Sequence, residues 1–149
     1  MDIHLHLYTP EGDANRRHLE QGLQLVLDDN ALWFQGMMSS GRKVHASPYD
    51  AGIRYIPHKF PDPIDEYYGR PLLSHDQHFY CVADTIYYGY GACGEFAAWS
   101  GGYLRAKTGK PVYADVILAP WLGPGGFHCR IRLDSGRIID PSRRGSAIE

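Results

Sequence analysis

From Gly91 onward the sequence leaves little freedom of fold. Gly91-Ala92-Cys93-Gly94 is a tight, glycine-flanked lead-in to a stretch carrying Phe96, Ala97, Trp99, Ser100, Tyr103 and Leu104 among small residues. That is the composition of a buried helix. Gly109 and Pro111 then supply a stop, because glycine accepts the left-handed C-terminal cap and proline cannot continue the helix. Residues 112–118 follow as a strand, 120–126 as a turn-rich loop and 127–133 as a second strand. Asp134-Ser135-Gly136 has hairpin-turn composition, so residues 137–140 pair back as a third strand. One helix opened by a cysteine and followed by an antiparallel sheet is an α+β arrangement.

Upstream the signals are sparser. Residues 2–8 alternate polar and apolar, which predicts a half-buried strand. Thr9-Pro10-Glu11-Gly12 breaks it, and Asp13 can cap a helix that begins near Ala14. Leu19, Leu23, Val26 and Leu27 carry that helix to about residue 28, and residues 30–41 show no clear register. Pro48, Pro57, Pro61, Pro63 and Pro71 exclude regular helix from much of 42–80. Within that stretch Ile53-Arg54-Tyr55-Ile56 reads as a short strand and residues 65–68 as a helical turn. Residues 79–88 read as a buried helix or strand. At 149 residues the chain suits one domain. Its parts are a strand and helix region over 1–45, a proline-rich connection over 46–80 and a core over 81–142.

Composition removes several classes of function. Net charge is −2 with no Lys/Arg cluster, so no nucleic-acid partner is expected. No apolar run approaches the roughly 20 residues of a membrane span, and the N-terminus lacks the pattern of a signal peptide. Three cysteines make no disulfide framework, which favours the cytoplasm or the inside of a larger assembly. No cofactor is called for, and the acidic residues lack calcium-loop spacing. His75-x-x-His78-x-x-Cys81, with Cys129 or Cys93, can be read as zinc ligands, but no CxxC pair accompanies it. Asp2-x-His4-x-His6 has the spacing of a strand-borne metal motif whose barrels need about 250 residues, so it reads as a strand edge. No metal is expected.

Cys93, His128 and Asp140 stand in the order of a nucleophilic triad. An imidazole takes the thiol proton and a carboxylate fixes the imidazole. A cysteine at a helix N-terminus feels the positive end of the macrodipole, which favours thiolate. The unpaired N–H groups there can hold an oxyanion. His128 on one strand and Asp140 on its hairpin partner are close enough to bond.

These segments resemble the core of the transglutaminase-like superfamily, a branch of the papain-like cysteine-enzyme fold. The residues that carry the resemblance are Gly91-Ala92-Cys93-Gly94-Glu95-Phe96-Ala97, Leu104-Arg105-Ala106-Lys107-Thr108-Gly109-Lys110-Pro111, Phe127-His128 and Asp140-Pro141-Ser142. Similarity is weaker around Gly52-Ile53-Arg54-Tyr55. The resemblance implies Cys93 as nucleophile, His128 as general base and acid, and Asp140 as orienting carboxylate. Cys129 departs from the aromatic or aliphatic residue many relatives have there. The family's oxyanion side chain has no motif match, and Tyr88 and Tyr90, just before the Cys loop, are the candidates. Glu95 is a first-turn carboxylate with a possible share in substrate binding, and Trp121 is a candidate cleft wall. Trp99 and Tyr103 read as core. The implied chemistry is acyl transfer through a thioester on a peptide or amide substrate, as in a thiol protease or amidase. The alternative is an inactive scaffold with a protein partner, such as a phage virion or assembly component.

Overall fold

The computed structural model describes residues 2–6, 13–56, 76–119 and 127–144. Helix α1, Asp13–Ser39, buries Leu19, Leu23, Val26, Leu27, Ala31 and Phe34, which recur every three or four residues. It runs well past residue 28. Two features blur its periodicity in sequence. Leu25 and Leu32 face solvent, and Asn30 occupies the buried stripe. Asn30 is tolerated there because its Oδ1 accepts the Val82 N–H at 3.1 Å.

Helix α3, Cys93–Thr108, starts at the N-cap Ala92 and stops at Gly109, whose φ of 71° is the left-handed cap. It is buried nearly all round. Ala97, Ala98 and Leu104 join α1 residues in one cluster, and Phe96 and Trp99 join Phe34, Ile53 and Val82 in another. Gly101 and Gly102 let α1 approach closely: a Cβ on Gly102 would stand 2.7 Å from that of Asn30, and one on Gly101 would run into Leu27.

Against α3 lies an antiparallel sheet in the order β5, Val112–Leu118; β6, Phe127–Leu133; β7, Ile138–Ile139. The first two strands match their expected bounds, and β7 is shorter than residues 137–140. Val112, Ala114, Val116, Cys129, Ile131 and Ile139 face inward.

The outer edge of β5 is sealed by α1. The N–H of Ala114 donates to Gln24 Oε1 at 2.7 Å, and the N–H of Val116 to Glu20 Oε2 at 2.9 Å. Gln24 Nε2 also reaches the Val112 carbonyl at 3.1 Å. Because Ala114 and Val116 point their N–H groups outward, Tyr113, Asp115 and Ile117 point theirs at Arg132, Arg130 and His128. The remaining set on β6, Cys129 and Ile131 among them, therefore points toward β7. Yet β7 pairs only with Ile131 and Arg132. Cys129 thus lies beyond the short ladder that β7 makes with β6.

The other strands are short. β1, Ile3–His6, pairs antiparallel with β3, Asp76–Phe79. β2, Arg54–Tyr55, pairs parallel with β4, Tyr90–Gly91, which sets Tyr55 opposite Gly91. Residues 79–88 are divided between the end of β3 and helix α2, Val82–Tyr88. The expected turn at 65–68 and the loop at 120–126 lie outside the described residues, as do residues 7–8 of the first expected strand. Among the described residues no helix is long and apolar enough to cross a membrane. The architecture is α+β.

Candidate active site

The turn into α3 is held by a buried carboxylate. Glu95, 2% exposed, accepts the N–H of Ala92 at 2.7 Å and that of Tyr80 at 3.0 Å. Gly91 passes so close that a Cβ there would lie 2.7 Å from the Glu95 Cβ. Glu95 therefore faces backbone inside the protein and shapes the turn. Cys93 is the first residue of α3. The helical ladder begins with the Phe96 N–H on the Ala92 carbonyl at 3.1 Å, so the N–H groups of Cys93 and Gly94 lie outside it.

Cys93, partly exposed as a residue, packs against the core cluster that contains Cys129 of β6. The Cys129 thiol, the His128 ring and the Cys129 backbone N–H are the groups that favour its thiolate form. The Cys129 thiol has the largest effect. Together these donors outweigh burial and bring the Cys93 thiol down to about 5. His128 moves the other way. Hydrogen bonding to Cys93 first, and to Asp140 next, outweighs burial and raises the imidazole to about 9. Between these values the pair is a thiolate and an imidazolium.

His128 Nε2 meets Asp140 Oδ2 at 2.7 Å. Nε2 is thereby committed, and Nδ1 is the ring nitrogen left for Cys93. Asp140 is itself held, its Oδ1 accepting the Ser142 hydroxyl at 2.6 Å and the Ser142 N–H at 3.1 Å. Burial opposes its charge, but the bonds from Ser142 and His128 prevail and keep the carboxyl below its usual range. Ser142 is anchored in turn, because its carbonyl accepts the Tyr49 hydroxyl at 2.5 Å. Tyr55 comes in from β2 with its ring 5.3 Å from that of Phe96. Burial, reinforced by the charges of Cys93 and Asp140, pushes its phenol up to about 12, so it stays a proton donor. Beside His128 and Asp140 opens a cleft of about 470 Å³, walled by Ile117 and Ile138 and by Arg130, Arg137 and Arg143.

The structure brings Cys93, His128 and Asp140 together. Tyr88 and Tyr90 pack against Tyr80, tilted and edge-on, with ring centroids 5.1 and 6.3 Å away. Trp121 lies outside the described residues. Trp99 is core, its Nε1 donating to the His45 carbonyl at 2.9 Å. Of the zinc reading, His75 lies outside the described residues, and Cys93 and Cys129 engage each other. His78 and Cys81 gather instead around Asp2: Oδ1 accepts the Cys81 N–H at 2.7 Å and Oδ2 lies 3.2 Å from His78 Nε2. Asp2, Cys81 and Asp84 present donor atoms within 4.8 Å of one another, a spacing that could hold a cation. A hydrogen bond with Asp2 raises Asp84 to about 6.

In the sequence Cys129 stands out only as an alternative zinc ligand and a departure from the family pattern, Ser142 only as the end of the Asp140-Pro141-Ser142 motif, and Tyr55 only as part of a short strand. A hydroxyl two residues after an Asp is a recognisable turn signal, so Ser142 was within reach. Tyr55 arrives from a distant strand with no local signal. No family model, curated protein or solved structure matches the chain.

Proposed function

We propose that the protein is a cysteine-dependent acyl-transfer enzyme, a peptidase or amidase of transglutaminase-like, papain-like type. The observation that carries this reading is the 2.7 Å bond between His128 Nε2 and Asp140, which leaves the other ring nitrogen for the Cys93 thiol of lowered pKa. The Cys93 thiolate attacks the carbonyl carbon of an amide, forming a C–S bond and pushing an electron pair onto oxygen. The N–H groups of Cys93 and Gly94, with the Tyr55 hydroxyl, receive that oxyanion. His128 gives its proton to the leaving amine as the C–N bond breaks, which leaves a thioester. Neutral His128 then takes a proton from water, or from an acceptor amine, as it attacks the thioester and releases Cys93. Asp140 holds the ring and stabilises its charged form. The Cys93→Ala variant loses labelling by a thiol-directed electrophile at this peptide, and unchanged labelling overturns the assignment.

A second reading, an inactive scaffold, draws on Ile86, Tyr87 and Tyr88, which α2 leaves 49%, 80% and 38% exposed. Such a patch suits a protein partner. A protein whose Cys93 labels no faster than free cysteine at neutral pH supports the scaffold over the enzyme.

A further inference from the structure

The cleft beside His128 and Asp140 is more basic than thioester chemistry requires. Other arginines of this region are committed. Arg130 donates from Nε and Nη2 to Asp115 Oδ2 at 2.9 and 2.7 Å. Arg132 lies 4.6 Å over the Tyr113 ring, and Arg144 lies 4.3 Å over that of Tyr49. Arg137 and Arg143 differ. They approach from the start of the β7 arm and from the turn after Asp140, and both are exposed. Neither has an ion-pair partner among the described residues. The cleft's own carboxylate, Asp140, is already engaged by His128 and Ser142. A chain of net charge −2 thus places two uncompensated guanidinium groups on one concavity with isoleucine walls.

Like charges around a shared cleft repel, and a bound anion relieves them. The guanidinium fork also matches the two oxygens of a carboxylate. The geometry points to an anion subsite in which Arg137 and Arg143 hold a substrate carboxylate while its amide lies at Cys93. The substrate class is therefore an acidic peptide or amide. This inference rests on the acyl-transfer reading. The carboxylate is either an acidic side chain or a free chain terminus.

The test compares alkylation of Cys93 in the full chain by iodoacetate and by iodoacetamide, equal in reaction but differing in charge, with the labelled peptide identified by mass spectrometry. In the Arg137→Ala/Arg143→Ala variant the iodoacetate rate falls about 10-fold and the iodoacetamide rate stays unchanged, which also reports an intact fold. The Arg137→Lys/Arg143→Lys variant, which keeps charge without the fork, recovers part of the loss. Equal loss for both reagents, or loss for neither, overturns the anion subsite. Failure of iodoacetamide to label Cys93 in the unaltered protein overturns the acyl-transfer reading instead. In a second arm, peptides carrying internal Glu or Gln and ending in a free or amidated carboxyl are compared as protectants against iodoacetamide. Protection that follows Glu assigns a side-chain carboxylate, and protection that follows the free terminus assigns a terminal one. Protection independent of both charges counts against the subsite.

Discussion

The two edges of the three-stranded sheet are treated in opposite ways. At the β5 edge, α1 lays Glu20 and Gln24 along the strand and satisfies the outward N–H groups of Ala114 and Val116. Asp28 continues that row by pairing with Arg105 of α3. At the far edge β7 is only two residues long, and Cys93 packs against β6 at Cys129, whose backbone N–H and thiol favour its thiolate. Exposed strand edges invite unwanted pairing and are normally covered. Here one edge is closed for stability. The other stops short at β7, which leaves room beside Cys129 for the candidate nucleophile Cys93.

Breaking the open edge has the larger effect on chemistry. Under the proposed function, His128→Ala lowers turnover about 10²- to 10⁴-fold, read as kcat/KM on a responsive amide. The same pair gives a bell-shaped rate profile, rising through about 5 as Cys93 ionises and falling through about 9 as His128 loses its proton. Iodoacetamide labelling across pH traces the acid limb directly.

Stability follows the same two groups with opposite signs. The contribution of His128 is complete below its ordinary 6.5 and fades as pH rises through about 9. That of Cys93 is complete above its ordinary 9.0 and fades as pH falls through about 5. Urea midpoints of the protein and of Cys93→Ala converge at acid pH, and a constant gap between them refutes the linkage.

A finer cut separates the donors at the open edge. Cys129→Ala removes the thiol and keeps the backbone N–H, so the acid limb moves toward neutral pH. Cys129→Ser restores a donor and moves it back. An acid limb that ignores both substitutions removes Cys129 from the site.

The closed edge answers differently. Gln24→Ala strands an N–H and a carbonyl of β5 and costs about 1–3 kcal/mol of stability, read from the urea midpoint. The rate of Cys93 labelling stays the same. A labelling rate that falls with stability denies the separation of the two edges.

The comparison also marks what could be read in the sequence. Helix α3 and strands β5 and β6 were legible because their signals are local: glycines at 91, 94 and 109, Pro111, alternation and a hairpin turn. The meeting of Cys93, His128 and Asp140 was legible because Cys93 opens α3, His128 lies near the start of β6 and Asp140 follows β7. Glu20 and Gln24 were not. Polar residues on a helix look solvated, and their partners lie 96 and 88–90 residues away. Tyr55 was missed for the same reason, since only the pairing of β2 with β4 carries it to Cys93. Glu95 was legible in place but not in role. A first-turn carboxylate suggests contact with substrate until burial shows it facing Ala92 and Tyr80.

Glu95 also bears on the order of assembly. Its bonds to Tyr80 and Ala92 reach back 15 and 3 residues, so nearby chain helps to shape the turn around Cys93. The donors that lower the Cys93 pKa all belong to β6, which is made later. The local turn sets where the thiol stands, and the β6–β7 hairpin sets how acidic it is.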